Sequence, residues 1–196
     1  MKFSVGIDEA GRGPLAGPVA VGVVVIDSGF RIPKSLNGVV RTDSKKLSEK
    51  SRELWFTAIQ QWQKEGKLRY ACALISAKEI DGKGIVPAIK KGMATCLKKL
   101  SVPKNAEVFL DGSLYLPKEY IKQKTIIKGD EKIPIISLAS IVAKVTRDKY
   151  MKTLAKKYPG YGFEVHKGYG TKAHYAAIQK EGISDVHRKS FLKKLL

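Results

Sequence analysis

The sequence is short of cysteine, of long apolar runs and of acidic residues. Its 196 residues include two cysteines, Cys72 and Cys96, each inside an apolar stretch, and we expect each to be a small buried apolar residue. Nothing resembles a disulfide framework or a zinc-binding spacing. No run approaches the roughly 20 apolar residues that span a bilayer. The N-terminus lacks the basic and then apolar pattern of a signal peptide. We therefore expect a cytoplasmic protein with no membrane partner.

Basic residues outnumber acidic ones by about two to one. Lysine and arginine together number 37 and aspartate and glutamate 18, which gives a formal net charge of +19. Such a protein attracts polyanions, because neutralising phosphates releases counterions, and the resulting affinity is salt-sensitive and largely independent of sequence. The composition favours a nucleic-acid partner. A basic protein that is merely soluble is the alternative.

Apolar periodicity predicts one α/β domain over residues 1–196, with a mixed central sheet. The predicted strands are 3–8, 19–26, 68–75, 107–110 and 125–127, and the predicted helices run from Ser48 to Gly66, over 89–100, over 137–157, and from Thr171 to Gly182. The second strand is rich in valine and nearly continuous, which is typical of a strand covered on both faces. The connections 29–46, 76–86 and 158–170 are predicted to be loops or turns.

Four acidic residues share a position in this predicted sheet. Asp8, Glu9, Asp111 and Asp130 each lie at the carboxyl end of a predicted strand or just beyond it. Ligands of open α/β sheets bind outside that edge, and adjacent strands are roughly 5 Å apart. Carboxylates there would bracket two divalent cations, Mg²⁺ or Mn²⁺, which prefer oxygen ligands and offset the like-charge repulsion. Such a pair of ions serves phosphodiester hydrolysis.

Each of these acidic residues also has a simpler interpretation. Asp-Gly and Gly-Asp are common turn pairs, which would account for Asp111 and Asp130. Asp8 and Glu9 are adjacent, and adjacent side chains of an ideal strand point to opposite faces. Both can reach the same ions only where the strand ends or bulges.

Several segments, taken in their order along the chain, resemble the motifs of the type 2 ribonucleases H, specifically ribonuclease HII. They are Asp8-Glu9-Ala10-Gly11-Arg12-Gly13-Pro14-Leu15-Ala16-Gly17-Pro18, Asp43-Ser44-Lys45-Lys46-Leu47-Ser48, Leu110-Asp111-Gly112, Lys128-Gly129-Asp130, Ala139-Ser140-Ile141-Val142-Ala143-Lys144-Val145-Thr146-Arg147-Asp148, His166-Lys167-Gly168-Tyr169 and His187-Arg188-Lys189-Ser190-Phe191. The match covers nearly the whole chain. The ordered set is highly specific, although any single segment is not.

The resemblance implies an RNase H-like fold, with a mixed five-stranded sheet flanked by helices. It implies endonucleolytic cleavage of the RNA strand of RNA–DNA hybrids. It also implies cleavage on the 5′ side of ribonucleotides embedded in duplex DNA, leaving 3′-hydroxyl and 5′-phosphate ends. Asp8, Glu9, Asp111 and Asp130 match the family's catalytic, metal-binding carboxylates, which hold two divalent ions. Glu131 and Asp148 remain alternatives to Asp130.

The same resemblance assigns substrate-binding residues. Gly11, Arg12 and Gly13 match a segment whose backbone reads the ribose 2′-hydroxyl, and glycine allows a close backbone approach. Tyr169 matches a tyrosine that stacks on the sugar next to the ribonucleotide. The candidate phosphate contacts are Lys45, Lys46, Ser140, Lys144, Lys167 and Arg188.

The remaining expectations concern the C-terminal part and the competing functions. We expect the segment from about 158 to 196 to form a helical substrate-binding part, and the protein to be a monomer. The histidines His166, His174 and His187 are expected to form loop hydrogen bonds rather than to bind metal. The main competing hypothesis is a non-catalytic, basic nucleic-acid-binding protein. A nucleotide-binding loop at residues 11–13 is a weaker one, because the glycine pattern of such loops is absent.

Overall fold

The strands and their order define the centre of the protein. The computed structural model describes residues 3–27, 29–41, 44 and 46–193. In chain order the strands are β1 (Phe3–Ala10), β2 (Val19–Asp27), β3 (Ser35–Leu36), β4 (Val39–Val40), β5 (Leu68–Ile75), β6 (Glu107–Asp111) and β7 (Gln123–Ile126). Five of them form one sheet in the order β5-β2-β1-β6-β7, and β3 pairs with β4 alone. Strand β2 runs antiparallel to β1 and β5, whereas β1, β6 and β7 are parallel. The predicted mixed five-stranded sheet is confirmed.

The helices lie between and after these strands. They are α1 (Glu49–Lys64), α2 (Ala77–Lys83), α3 (Ile85–Lys99), α4 (Gly129–Lys132), α5 (Pro134–Lys157), α6 (Phe163–His166) and α7 (Lys172–Glu181), followed by a 3₁₀ turn at Lys189–Phe191. The predicted caps are confirmed. The Ser48 hydroxyl accepts the Ser51 N–H (3.0 Å) at the start of α1, and the Thr171 hydroxyl accepts the His174 N–H (3.2 Å) at the start of α7. These bonds satisfy N–H groups that the first turn of a helix leaves without a partner.

Several predicted boundaries differ from the structure, and three of these differences concern helices that are short or begin with proline. The turn predicted at 76–86 contains α2, because Ser76 caps it by accepting the Glu79 N–H (3.2 Å). The loop predicted at 158–170 contains the single-turn helix α6. Helix α5 begins three residues before Ser137, at Pro134, whose fixed φ and missing N–H suit the first helical position. A helix of one or two turns, or the first turn of a longer helix, contains too few residues to show an apolar period.

The sheet is covered on both faces, as the valine-rich second strand predicts. One face of β1 and β2 packs with the apolar side of α3, around Ile89, Met93 and Leu97. The other face packs with α1 and α5, around Trp55, Ile59 and Leu138. The described helices do not include one that combines the length and the apolar character needed to cross a bilayer.

Helix α5 lies directly on the sheet because two strand positions have no side chain. A Cβ atom added at Gly6 would lie 2.3 Å from the Ile135 carbonyl oxygen, and one at Gly22 would lie 2.3 Å from the Ala139 oxygen. Gly22 is also the partner of Asp8 across the β1–β2 ladder. The contact therefore brings the first turns of α5 close to Asp8.

A third apolar cluster joins the C-terminal part to the loop that follows β1. Leu15 and Ala16 from that loop pack with Met151 of α5, Phe163 of α6 and Ile178 of α7. The backbone adds to this contact, since the Leu15 N–H donates to the Gly168 carbonyl (2.8 Å). The loop after β1 is thus held between α5 and the C-terminal segment.

The two cysteines are thiols within the packed layers. Cys96 is buried and donates to the Val21 carbonyl (3.5 Å), whereas Cys72 is half-buried. Burial raises the pKa of the Cys96 thiol to about 11 and that of Cys72 to about 12. The expected role of a small apolar residue is confirmed for Cys96.

We expect Gly22→Ala to lower the free energy of unfolding by about 1–3 kcal/mol or more, because the new methyl group would overlap the backbone of α5. Gly82→Ala is the matched control. Gly82 lies in α2 with nothing within 4 Å of an added Cβ, so alanine should leave stability unchanged or raise it by up to about 1 kcal/mol. Urea unfolding of both variants measures the difference. Equal stability of the two would show that α5 does not need this close contact.

Candidate active site

A cavity of about 410 Å³ opens at the carboxyl edge of β1 and β6. Three carboxylates line it, those of Asp8, Glu9 and Asp111. Strands β1 and β6 are parallel, and Ile7 of β1 pairs with Leu110 of β6. The next residues, Asp8 and Asp111, therefore lie side by side at the same edge of the sheet. The structure therefore brings together three of the four predicted catalytic acids.

The pairing of β1 explains how Glu9 can line the same cavity as its neighbour Asp8. Strand β1 continues to Ala10 in unbroken register with β2, and no bulge interrupts it. Its pairing with β6 ends earlier, at Ile7. Beyond that point one side of β1 is open, and both Asp8 and Glu9 line the cavity. Glu9 also forms an ion pair with Arg12 (3.3 Å), which lies at the surface.

Asp8 is buried and held by hydrogen bonds. One of its oxygens accepts the Glu9 N–H (2.7 Å), and the carboxylate accepts the Ser140 hydroxyl. The Ser140 and Ser44 hydroxyls lie 2.7 Å apart, so Ser44 donates to Ser140 when Ser140 donates to Asp8. Burial raises the pKa of the Asp8 carboxyl well above its usual value, the charges of Glu9 and Asp111 raise it further, and the bonds from Ser140 and the Glu9 N–H oppose them.

The fourth predicted acid, Asp130, stands apart from the cavity lining. It is buried in the first turn of α4, next to Gly129, whose N–H donates to an Asp111 oxygen (2.7 Å). One Asp130 oxygen accepts the Glu131 N–H (3.0 Å). Asp130 is thus beside the site, while the cavity itself is lined by the other three acids.

The two alternatives to Asp130 are paired with cations. The Glu131 carboxylate forms an ion pair with Lys46 (2.9 Å) at the surface. Asp148, on α5, accepts a hydrogen bond from Lys144 (2.9 Å) and lies 3.9 Å from an Arg52 nitrogen. Both partners of Asp148 line the cavity, although Asp148 itself does not. Asp148 therefore orients the basic side of the cavity.

Ser44 and Arg52 line the cavity but were not among the predicted site residues. An Arg52 nitrogen donates to the Ser44 carbonyl (2.9 Å), so the two residues hold each other at the rim. Ser44 lies inside one of the family-like segments, which was a usable signal. Arg52 lies on α1 and carries no mark in the sequence that separates it from an ordinary surface arginine.

The predicted substrate residues fall into two groups. Gly11, Arg12, Gly13, Lys144 and Tyr169 line the cavity, and Ser140 bonds to Asp8 behind it. The other described ones do not line the cavity. Lys46 pairs with Glu131 at the surface, Lys167 donates to the Glu164 carbonyl, and Lys45 lies outside the described residues.

The position of Arg188 corrects its predicted role as a phosphate contact. The side chain is fully buried, and its guanidinium donates to the carbonyls of Gly11 (2.7 Å), Arg12 (3.0 Å) and Gly17 (3.0 Å). A buried group with these partners does not face a ligand. Arg188 instead holds the loop after β1 from behind.

The three histidines form hydrogen bonds with the backbone, as expected, although His166 lies in α6 and His174 in α7 rather than in loops. His174 Nδ1 lies 3.0 Å from the Tyr169 carbonyl oxygen, and its Nε2 lies 3.1 Å from Nε2 of His187. His187 Nδ1 accepts the Ser184 N–H (3.0 Å). These partners fix both tautomers: His187 donates from Nε2 to His174, and His174 donates from Nδ1 to Tyr169.

Comparison with known proteins decides the family. The sequence model described as Ribonuclease HII matches residues 5–194. The chain belongs to the ribonuclease HII family. Ribonuclease HII of Clostridioides difficile (strain 630) is 47% identical over 194 residues, which cover 97% of this chain and 70% of the relative. Ribonuclease HII of Fusobacterium nucleatum subsp. nucleatum is 46% identical over 200 residues, which cover 100% and 88%.

Solved structures confirm the RNase H-like fold. Ribonuclease H2 of Pyrococcus horikoshii OT3 aligns with a TM-score of 0.72 at 27% identity, over 98% of this chain and 96% of that one. RNase HII of Archaeoglobus fulgidus, solved in a complex with PCNA, aligns with a TM-score of 0.70 at 26% identity, over 95% and 93%. Members of this family are endoribonucleases that hydrolyse the RNA of RNA–DNA hybrids, and the chain is an enzyme of this class.

We expect stability to fall as the pH is lowered from about 6.5 towards 4, because burial lowers the pKa of His174 from 6.5 to about 4. Between these values the unfolded chain binds the extra proton, so the contribution is complete above pH 6.5 and is lost on acidification. This pKa shift corresponds to a decrease of roughly 3 kcal/mol in the free energy of unfolding once the pH is below 4. Burial lowers the pKa of His187 as well, which acts in the same direction.

Urea unfolding between pH 4 and 8 measures this dependence. His174→Asn is the comparison, since its amide can donate to the Tyr169 carbonyl without titrating. The variant should show a shallower slope between pH 4 and 6.5. An unchanged slope would assign the acid sensitivity to other groups.

Proposed function

We propose that the chain cleaves the RNA strand of hybrids, and duplex DNA on the 5′ side of an embedded ribonucleotide, by two-metal-ion catalysis that leaves 3′-hydroxyl and 5′-phosphate ends. The proposed ligands of the two ions, Mg²⁺ or Mn²⁺, are Asp8, Glu9, Asp111 and Asp130. The observation that carries the proposal is the meeting of three of these acids in one cavity of a strongly basic protein.

The donor set fits hard divalent cations. The acids around the cavity offer oxygen atoms alone, the ligand type that Mg²⁺ and Mn²⁺ prefer, and no histidine or cysteine is among the described lining residues. Burial, and then the charges of Glu9 and Asp111, raise the pKa of the Asp8 carboxyl, so its ionised form is unfavourable without a cation. A bound cation removes this conflict.

The side chains as they stand are not yet gathered around one point. In the described part of the chain, no group of three or more His, Cys, Asp or Glu side chains is placed to hold a metal ion. The three acids line the same cavity nonetheless, and Asp8 and Asp111 project from the rigid ends of adjacent strands. Binding of the ions would require these side chains to turn towards a common point within the cavity.

Divalent ions at these acids would lower the pKa of the attacking water and stabilise the charge on the leaving oxygen. The chain's own contribution is to fix the acids. Ser140 and the Glu9 N–H hold Asp8, and the Gly129 N–H holds Asp111. Such bonds to the ligands keep them oriented.

Substrate recognition is proposed to come from the opposite wall of the cavity. The peptides of Gly11 to Gly13 would contact the ribose 2′-hydroxyl, which distinguishes RNA from DNA. Tyr169, which is 44% exposed and lines the cavity, would stack on the next sugar. Lys144, Lys46, Lys167 and the described part of the basic surface would contact phosphates, which position a duplex without reading its sequence. The monomeric state, the cytoplasmic location and a substrate-binding role for residues 158–196 stay predictions.

We expect the wild-type protein to nick a DNA duplex that contains one ribonucleotide, on its 5′ side, when Mg²⁺ or Mn²⁺ is added. Mapping of the labelled products with each ion, and with EDTA, measures the cut position and the end groups. Cleavage in EDTA would contradict the metal role, and a folded protein that binds but never cuts would favour the competing binding-protein hypothesis.

Asp8→Asn is the matched variant for this experiment. It should reduce cleavage by roughly 10³-fold or more while leaving hybrid binding largely intact, because it removes a proposed ion ligand. It should fold at least as stably as wild type without metal, since it removes a charge that burial disfavours. Melting with and without Mg²⁺ gives a second readout: the ion should stabilise wild type more than the variant. A variant that fails to fold would make Asp8 structural.

Tyr169→Ala should lower kcat/KM on a single embedded ribonucleotide by roughly 10-fold or more, and less on a long hybrid, because the lost ring contact matters most at the RNA–DNA junction. The ratio of the two kcat/KM values is the measurement. Tyr175→Ala is the control, since Tyr175 is similarly exposed on α7 and does not line the cavity. Equal losses on both substrates would refute the junction role of Tyr169.

A further inference from the structure

Two buried arginines lie directly behind the loop that follows β1. Arg147, from α5, donates from Nε to the Pro18 carbonyl (2.9 Å) and from Nη2 to the Ala16 carbonyl (3.2 Å). Arg188 donates to the carbonyls of Gly11, Arg12 and Gly17. Five carbonyl groups of this loop are therefore turned inward by two side chains from distant parts of the chain.

The inward carbonyls fix the direction of the amides. The described peptides are all trans, and in a trans peptide the C=O and N–H groups point in opposite directions. Since the Gly11 and Arg12 carbonyls face Arg188, the N–H groups of Arg12 and Gly13 point away from it. Gly11, Arg12 and Gly13 line the cavity, so these N–H groups are donors on the ligand side.

The two guanidiniums are buried charged groups without a direct ion pair in the described residues, although Asp148 and Asp81 act on Arg147 and Arg188 from a greater distance. In the described residues, no carboxylate lies within ion-pair distance of either one, and Nη1 of Arg147 is buried without a hydrogen-bond partner. Burial, together with the Arg147 charge, lowers the pKa of Arg188 to about 9, which still leaves it protonated at neutral pH. Buried charges are normally paired, because desolvating them is unfavourable. Here backbone carbonyls are the direct partners of both guanidiniums, so their positive charge lies behind the outward amides.

Arg147 also touches the other recognition element. Its guanidinium carbon lies 5.9 Å from the centre of the Tyr169 ring. It lies so close to the loop that a Cβ atom on Gly11 would be 2.0 Å from its Nε. Gly11 has a φ of +87°, which glycine adopts without strain. One side chain thus fixes the spacing between the loop and the ring.

We propose that Arg147, supported by Arg188, is a positioning residue that sets the preference for an embedded ribonucleotide, by holding the residue 11–13 amides and the Tyr169 ring at a fixed separation. This inference rests on the proposed function of that loop and that ring. Without the guanidinium, the freed carbonyls can turn towards the cavity, and the ring loses its support. A displacement of about 1 Å at such a contact can cost roughly 100-fold in rate.

The test compares Arg147→Lys with wild type on two substrates, a DNA duplex with one ribonucleotide and a long RNA–DNA hybrid. Lysine keeps the charge, but its single nitrogen cannot replace the separate Nε and Nη2 bonds of Arg147 or its planar contact with the ring. We expect kcat/KM on the single ribonucleotide to fall by roughly 10- to 100-fold, mainly through kcat. The ratio of kcat/KM on the single ribonucleotide to kcat/KM on the hybrid should fall by about 10-fold. Equal losses on both substrates would overturn the proposal.

Arg69→Lys is the matched control. Arg69 also donates to a carbonyl, that of Leu100 (2.6 Å), and lies 5.7 Å from the Phe3 ring, but it is on β5, away from the cavity. Its replacement can lower the melting temperature, yet it should leave the substrate ratio unchanged. A shift in ratio equal to that of Arg147→Lys would show that general destabilisation causes it, and would overturn the proposal.

A double-mutant cycle separates this inference from the proposed function. If Arg147 acts through the ring, Arg147→Lys and Tyr169→Ala together should change the ratio by less than the product of their separate effects. Multiplicative effects would overturn the proposal while leaving Tyr169 as a junction reader. If Tyr169→Ala alone leaves the ratio unchanged, the proposed reading of the junction has failed instead.

Arg188→Lys provides a second route if Arg147→Lys does not fold. It removes the bonds to Gly11 and Arg12 and leaves Arg147 against the ring. The expected result is again a loss on the single ribonucleotide that exceeds the loss on the hybrid. If neither variant folds, or Arg188→Lys lowers both activities equally, the arginines are structural and the proposal is overturned.

Discussion

The contact between α5 and the sheet at Gly6 and Gly22 determines the rest of the site. With no side chains at these positions, the helix backbone reaches van der Waals distance of the strands. Asp8 and Gly22 are ladder partners, so this contact also sets the distance between Asp8 and Ser140. The same helix carries Lys144 to the cavity and Arg147 to the loop. One steric constraint in the sheet therefore positions acidic, polar and basic groups together.

The loop that follows β1 separates the acids of the cavity from two buried guanidiniums. The acids of β1 and β6 form one wall of the cavity, and the guanidiniums of Arg147 and Arg188 lie behind the other. Between them lie the peptides of Gly11 to Gly13, whose one charged side chain, that of Arg12, forms an ion pair with Glu9. A ligand with negative oxygens would meet donors on one side and would need cations on the other. This polarity suits a nucleic-acid backbone bound beside divalent ions.

The sequence predicts the regular elements well where periodicity is long. Strand β5 and the caps of α1 and α7 follow from alternating apolar residues and from Ser48 and Thr171, all local signals. Helices α2 and α6 were missed because seven-residue and four-residue helices contain too few turns to show a period.

The candidate site was predictable in part. The acids at strand ends could be placed because parallel strands share an edge, which is why Asp8 and Asp111 meet. The role of Arg188 could not be read, since a basic residue in a motif looks the same whether it faces solvent or the backbone of a loop 171 residues away. The polar residues Ser137, Ser140, Arg147 and Asp148 of α5 are buried as well, and only long-range packing determines what covers them.

The two thiols have a practical consequence for the chemistry of this protein. Thiolates, not thiols, react with oxidants and alkylating reagents. With pKa values of about 11 and 12, Cys96 and Cys72 are almost entirely protonated at neutral pH. We expect both cysteines of the folded chain to react slowly with such reagents, so that the rate of cysteine modification reports how often the layers around the sheet separate.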